Sequence, residues 1–236
     1  MVFYYYNRGS CVAVFESAEN NYIYKIPLIR KYDSYKKQNC NYLKAINRYL
    51  RDEYKYYKNK IKLIENFKLL KTLKKKTNHN LEEFFPELEL LNFHNEVYKI
   101  SNKKYTYTGK VIKQKKVEEF FRNITPLDSF NWEEIYKTQI ELWRYGIGLN
   151  SEKDTWGPGS WGRTDTGKIK LVDTSQLTKN YKLVAKCLKP EVIKNRKRIL
   201  LSFDKFHKKE ILEDYFKYIS SNLNLKNLKK NWNIYN

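Results

Sequence analysis

The stretch Gly146 to Leu177, GIGLNSEKDTWGPGSWGRTDTGKIKLVDTSQL, constrains this chain more than any other. In its second half the turn-forming Asp165-Thr166-Gly167 precedes an alternation of Lys168 and Lys170 with apolar Ile169 and Leu171, and the segment closes on Asp173. This pattern predicts a β-hairpin with a carboxylate at its exit. The first half is too rich in Gly, Pro and Trp for helix or strand, and predicts a loop carrying Asp154 and Ser160. Two carboxylates therefore flank one hairpin, either as chemistry or as the turn residues and strand ends of an ordinary surface hairpin.

Phosphoryl transfer uses such a pair, one carboxylate orienting a hydroxyl nucleophile and the other holding Mg²⁺ against nucleotide phosphates. Here the sequence resembles the protein-kinase-like superfamily, in which a catalytic loop H-R-D-x-x-x-x-N precedes a hairpin ending in D-F-G. Asp154-Thr155-Trp156-Gly157-Pro158-Gly159-Ser160 is similar to the D-L-H-P-G-N loop of small-molecule and bacterial kinases with one residue inserted, and Val172-Asp173-Thr174-Ser175 is similar to the D-F-G strand. The departures are specific. Counting back five from Ser160 gives Thr155 where the family has Asp, Ser160 replaces the Asn of the second metal position, no His precedes the Asp, and Ser175 replaces the glycine. The resemblance implies that Asp154 orients the acceptor, Asp173 binds Mg²⁺, and Ser160 takes the second metal position.

The N-terminal part supplies the matching order. Val2–Tyr6, Cys11–Glu16 and Tyr22–Ile26 are β-branched and aromatic runs separated by Asn, Gly and Ser, which predicts an antiparallel meander. Asn7-Arg8-Gly9-Ser10-Cys11-Val12-Ala13-Val14 resembles the kinase Gly-rich loop with one glycine of three, so Gly9 and Ser10 would cover the ATP phosphates; a plain hairpin turn reads the same residues. Tyr22-Ile23-Tyr24-Lys25 stands where kinases have V-A-I-K, which implies Lys25 at the α and β phosphates; otherwise Lys25 is a solvent-facing lysine on an alternating strand.

A helix is predicted from about Ser34 to Leu73, with Leu43, Ile46, Leu50, Tyr54, Tyr57, Ile61 and Ile64 forming one apolar stripe. Glu53 lies beside that stripe, and the resemblance implies that it pairs with Lys25; Glu65 is the fallback, and a rim glutamate pairing with a lysine on its own helix is the plainer alternative. Further strands are expected over 84–93, 96–101 and 104–113, with a hinge at 112–118 where an adenine ring stacks. Pro126, Asp128 and Ser129 lead into a helix near Asn131 to Tyr145 that Gly146 stops. Beyond Asp173 the chain has room for two or three helices, among them Pro190–Lys205 and Lys208–Ser221.

Lys and Arg total 47 against 26 Asp and Glu, a net charge of +21 that points to polyanionic surroundings, although a Lys-, Asn- and Tyr-rich composition also arises from genomic bias. Cys11, Cys40 and Cys187 are odd in number and widely spaced, which suggests a reducing compartment and no structural zinc. No run approaches a membrane span and no signal segment is evident, so a soluble protein of the cytoplasm, or of a host cytoplasm for an effector or viral protein, is expected.

Together these readings give an α+β, two-lobed protein-kinase-like fold with a sheet-rich first part over 1–113 and a reduced, mostly helical part over 114–236. The implied function is an ATP- and Mg²⁺-dependent phosphotransferase acting on a hydroxyl, on a protein substrate or acidic partner. The alternatives are a pseudokinase that regulates a partner and a basic nucleic-acid-binding protein whose Tyr and Trp residues stack bases.

Overall fold

A computed structural model describes residues 3–8, 12–17, 21–27, 61, 64–77, 81–100, 103–121, 125–151, 155, 157–201 and 209–235. The fold is α+β with antiparallel sheets. It divides into two compact units, Met1–Lys68 with Glu87–Lys116, and Leu69–Pro86 with Val117–Asn236.

The first unit is a sheet of five strands, β1 (Phe3–Arg8), β2 (Val12–Ser17), β3 (Tyr22–Pro27), β4 (Leu88–Ile100) and β5 (Lys103–Lys115). Their order is β1-β2-β3-β5-β4, and the parallel pairing of Phe3 with Tyr98 and Tyr4 with Lys99 closes the sheet into a barrel. Closure removes the open edges that a short meander would otherwise expose. The expected strands over 84–93 and 96–101 are a single strand, β4, interrupted by a bulge between Phe93 and Glu96. An extra residue on one strand lets the ladder bend without ending. Phe15, Tyr24, Ile26, Phe93 and Val111 make the core, with the Tyr24 and Phe93 rings 5.9 Å apart.

Of the long helix expected over 34–73, residues 34–60, 62 and 63 lie outside the described part. The described helix, α1 (64–76), runs past the expected end. Leu70 and Leu73 are buried on it while Lys68, Lys71, Lys74 and Lys75 are exposed, the one-sided pattern of an amphipathic helix. The division between the units falls within this helix.

In the second unit α2 (Trp132–Arg144) begins at an Asn131 cap whose side chain accepts from Glu134 N, and buries Ile135, Tyr136, Gln139, Leu142 and Trp143 at steps of three and four. Three short strands, β6 (Glu119–Phe120), β8 (Trp161–Arg163) and β9 (Ile169–Leu171), form one sheet; β7 (Gly148–Leu149) and β10 (Leu177–Thr178) form another. Four helices end the chain, α3 (Tyr181–Cys187), α4 (Pro190–Leu201), α5 (Lys209–Asn222) and α6 (Leu225–Asn231). Among the described residues no helix is long and apolar enough to cross a membrane.

The end of α2 is where the C-terminal tail is anchored. Gly146, at φ +70°, reverses the chain so that its N–H reaches Trp143 O at 2.8 Å and Ile147 N–H reaches Leu142 O at 3.1 Å. Asn233 N–H also donates to Trp143 O, Tyr235 N–H donates to Arg144 O, and Lys76 Nζ bridges Tyr145 O and Asn233 Oδ1 at 3.2 and 3.3 Å. Helix-end carbonyls with no partner inside the helix are thus taken up by the tail and by α1.

A Cβ at Gly146 would stand 2.5 Å from Asn233 Oδ1, whereas one at Gly167, also at positive φ, would meet nothing within 4 Å. Gly167→Ala is therefore expected to carry only the left-handed backbone cost, about 1–2 kcal/mol in urea unfolding. Gly146→Ala should lose more, because Asn233 must move and take its hydrogen bond to Lys76 with it. Equal losses at the two glycines would show that the Asn233 contact contributes nothing.

Candidate functional site

Lys25 sits in the middle of β3 at 6% exposure, so it is not the solvent-facing lysine that simple alternation allows. Register pairs it with Val14 on β2 and Ile112 on β5, and Ile112 pairs in turn with Leu90 on β4. Paired residues share a face of the sheet. Lys25 therefore stands between apolar neighbours on both adjacent strands, in a row that reaches Asn7 of β1 through Val14. Burying an ammonium disfavours its charged form unless polar groups or ions compensate.

One step along the same face, Glu16, Ile23, Gln114 and Leu88 form the next row. Glu16 receives Lys116 Nζ at 2.6 Å. Gln114 is fully buried, and among the described residues neither its Nε2 nor its Oε1 has a hydrogen-bond partner. Patterning gave no warning of it, because Gln114 lies in the segment expected as a hinge; β5 in fact runs on to Lys115, so that segment begins inside a strand. Glu65, the fallback partner for Lys25, is exposed on α1 and is not a carboxylate buried against a sheet. Gly9, Ser10 and Glu53 lie outside the described residues.

In the second unit the predicted hairpin is present, with Trp161 opposite Leu171 and Arg163 opposite Ile169. Its turn closes through Thr164 N–H to Lys168 O and Gly167 N–H to Thr164 O, both 2.9 Å. The loop before it is tied at Thr155, whose carbonyl accepts from Gln139 Nε2 of α2 at 3.1 Å and whose buried hydroxyl has no partner among the described residues. Asp154 itself lies outside the described residues.

Ser160 and Asp173, far apart in sequence, are brought together. The Ser160 carbonyl accepts from Val172 N–H at 2.7 Å and from Asp173 N–H at 3.0 Å, extending the hairpin ladder past its last strand pair. Asp173 Oδ1 then accepts from Ser175 N–H at 2.9 Å and caps the 3-10 turn Thr174–Gln176. Among the described residues Asp173 Oδ2 has no hydrogen-bond partner, and the side chain is half-buried. One carboxylate oxygen is thus fixed and the other is open. Ser160 is fully buried.

Two residues not singled out from the pattern hold this arrangement. Glu134, in the first turn of α2, accepts from Ile169 N–H at 3.0 Å and joins the helix to β9. Lys170, expected on the polar side of an alternating strand, is 9% exposed and donates to Glu83 O at 2.8 Å. Burial pushes its pKa down, with Lys168 adding to the effect. Every residue of β9 is buried, so alternation there marks chemistry of side chains but not exposure.

Among the described residues no group of three or more His, Cys, Asp or Glu gathers into a metal cluster. Magnesium does not need one, since it is commonly held by one or two carboxylates together with phosphate oxygens and water. Asp173 with its open oxygen fits that requirement. No protein-family model matches the chain, and no curated protein matches it.

A buried amide with nothing to bond costs about 1–3 kcal/mol. Gln114→Met, similar in shape and apolar, is therefore expected to raise the melting temperature of the ligand-free protein. A lowered melting temperature would mean that the carboxamide is engaged in the free protein.

Proposed function

We propose that this chain is an ATP- and Mg²⁺-dependent phosphotransferase of protein-kinase-like type that passes a phosphoryl group to a hydroxyl, on a protein substrate. The observation that carries the reading is the seating of Asp173 on Ser160 at the exit of the β8–β9 hairpin, with one carboxylate oxygen tied to its own turn and the other open. Protein kinases carry their metal-binding Asp after the catalytic loop and their phosphate-binding Lys on the third strand. The order of elements here supports the same assignment, with Lys25 buried on β3 of a five-stranded sheet and Asp173 following the loop and hairpin.

In this reading Lys25 binds the α and β phosphates, with Gly9 and Ser10 over them and Glu53 orienting the lysine. Asp173 is the metal ligand, Ser160 stands in the second metal position, and Asp154 orients the acceptor hydroxyl. Magnesium, when bound, neutralises charge on the phosphate oxygens. The protein's own contribution is positioning and fixed charge, which is where most of the acceleration of phosphoryl transfer comes from. Ser160 does more through its backbone than through its hydroxyl, because its carbonyl sets where Asp173 leaves the hairpin.

A second reading, a regulatory pseudokinase, is favoured by the complete burial of Ser160, which withdraws the residue in the second metal position from solvent.

Purified protein incubated with γ-labelled ATP and Mg²⁺ or Mn²⁺ is expected to label itself or a lysate protein. Asp173→Asn should reduce labelling at least about a hundredfold while leaving the fold intact, since the amide oxygen can still cap Ser175. Lys25→Met, which preserves length at a buried position, should also cripple transfer. Nucleotide-dependent thermal stabilisation without label would select the pseudokinase; neither stabilisation nor label would remove both readings.

A further inference from the structure

The second unit carries a ring of contacts that phosphoryl transfer does not use. Lys76 Nζ reaches Asn233 Oδ1, and Asn233 directly follows Trp232. The Trp232 ring meets Tyr181 edge-on with centroids 5.5 Å apart. Two residues before Tyr181, Lys179 Nζ donates to Thr72 Oγ1 at 3.0 Å, and Thr72 lies one helical turn before Lys76. The ring is therefore closed by observed contacts and chain connectivity, and every member belongs to one compact unit.

Further cations adjoin this ring along the chain, Lys75 beside Lys76 and Lys182 beside Tyr181. Lys75, Lys179 and Lys182 are exposed, and among the described residues no carboxylate pairs with any of them. Burial lowers the pKa of Lys76, and the nearby Lys179 charge lowers it further. Within the cations lie two partly exposed rings, Tyr181 and Trp232. Lysines without counterions suit phosphates, while flat aromatic faces suit unstacked bases. A duplex hides its base faces, and an acidic peptide offers nothing to stack. Phosphate together with an available base face belongs to single-stranded nucleic acid.

We propose that the surface formed by Lys75, Lys76, Lys179, Lys182, Tyr181 and Trp232 binds single-stranded nucleic acid without strong sequence preference, the lysines taking phosphates and the rings taking bases.

The test uses the full chain and a fluorescein-labelled oligothymidylate of about 20 nucleotides, long enough to span a typical single-strand site. Affinity is measured by anisotropy between about 50 and 200 mM KCl, where phosphate contacts govern the salt slope. The single strand is expected to bind at least about tenfold more tightly than a duplex of equal length, as a stacking contribution requires. Lys75→Gln combined with Lys182→Gln changes two exposed side chains that carry no ion pair, so folding should be preserved. This pair should reduce the slope of log Kd against log salt by about 1.4, from about 0.7 per lost phosphate contact on a single strand. Tyr181→Leu should weaken binding about tenfold with an unchanged slope, and Tyr181→Phe should restore it. The proposal is overturned if the protein does not bind the oligonucleotide, if single strand and duplex bind alike, if the double lysine variant keeps the parental slope, or if polyglutamate displaces the strand as well as unlabelled oligothymidylate does.

Discussion

One carbonyl organises the candidate site. A carbonyl oxygen has two lone pairs, and Ser160 uses its oxygen for two amides, those of Val172 and Asp173. Because Ser160 is fully buried, these hydrogen bonds form away from water, where they are electrostatically stronger. They continue the Trp161–Leu171 register after β9 has ended, and so fix the point at which the chain turns away. Asp173 caps the next turn, Leu177 pairs with Leu149, and Gly148 lies so close to Val184 that a Cβ would come within 2.7 Å of it. The carboxylate is thus placed by backbone geometry on both sides. It does not depend on a side-chain network that one substitution could dismantle.

The places where polar side chains depart from simple patterning are the informative ones. A strand covered on both faces loses the hydrophobic alternation of a half-exposed one. Ile23, Tyr24, Lys25 and Ile26 are all buried, and so are all residues of β9. In such strands a lysine is a polar group inside a packed layer, at a cost that something else must offset. Lys170 offsets it by donating to the Glu83 carbonyl, which also fastens the 3-10 turn Leu81–Glu83 to the sheet. Gln114, in the row beside Lys25, finds no partner among the described residues for either end of its amide. The two lysines look alike in their alternating strands, yet Lys170 tethers a neighbouring turn through the Glu83 carbonyl, while Lys25 stands between Val14 and Ile112 in the middle of its sheet.

Much of the fold was legible because its signals were local. The N-terminal meander, β5, α2 and the hairpin over 161–171 all fall within a few residues of their predicted limits, since turn residues and apolar periodicity act over short distances. The break predicted between 93 and 96 was a misreading of a bulge: Asn-rich sequence resembles a turn, but pairing with β5 on both sides carries the strand through. Helices α3 and α6 were not anticipated although Asn180 and Asn224 stand as their caps, accepting from Leu183 N and Asn227 N. In a chain this rich in Asn, a capping Asn does not stand out from its background. Barrel closure, the burial of Lys170 and the partnerless state of Gln114 were beyond reach, because each depends on pairing between segments far apart in sequence. The proximity of Ser160 and Asp173 was implied by the hairpin, but the shared carbonyl that fixes it was not.

A lysine-rich composition spreads ammonium groups wherever solvent accepts them; it gives no reason to press two of them together against a partly buried surface. Lys76 and Lys179 stand in that relation, and the Lys76 pKa falls below its ordinary value, first through desolvation and then through Lys179. The sign follows from linkage. A base whose folded pKa lies below its unfolded one penalises the fold while it is protonated, and the penalty fades only as pH rises through the folded value towards the unfolded one. At neutral pH the fold therefore carries this cost in full, and the hydrogen bonds from Lys76 to Tyr145 and Asn233 recover part of it. A phosphate between the two ammonium groups would reverse the sign, since a nearby anion favours the charged form of both. Polyanion binding would thus stabilise the α2 end and the tail together, through the same lysine that joins them.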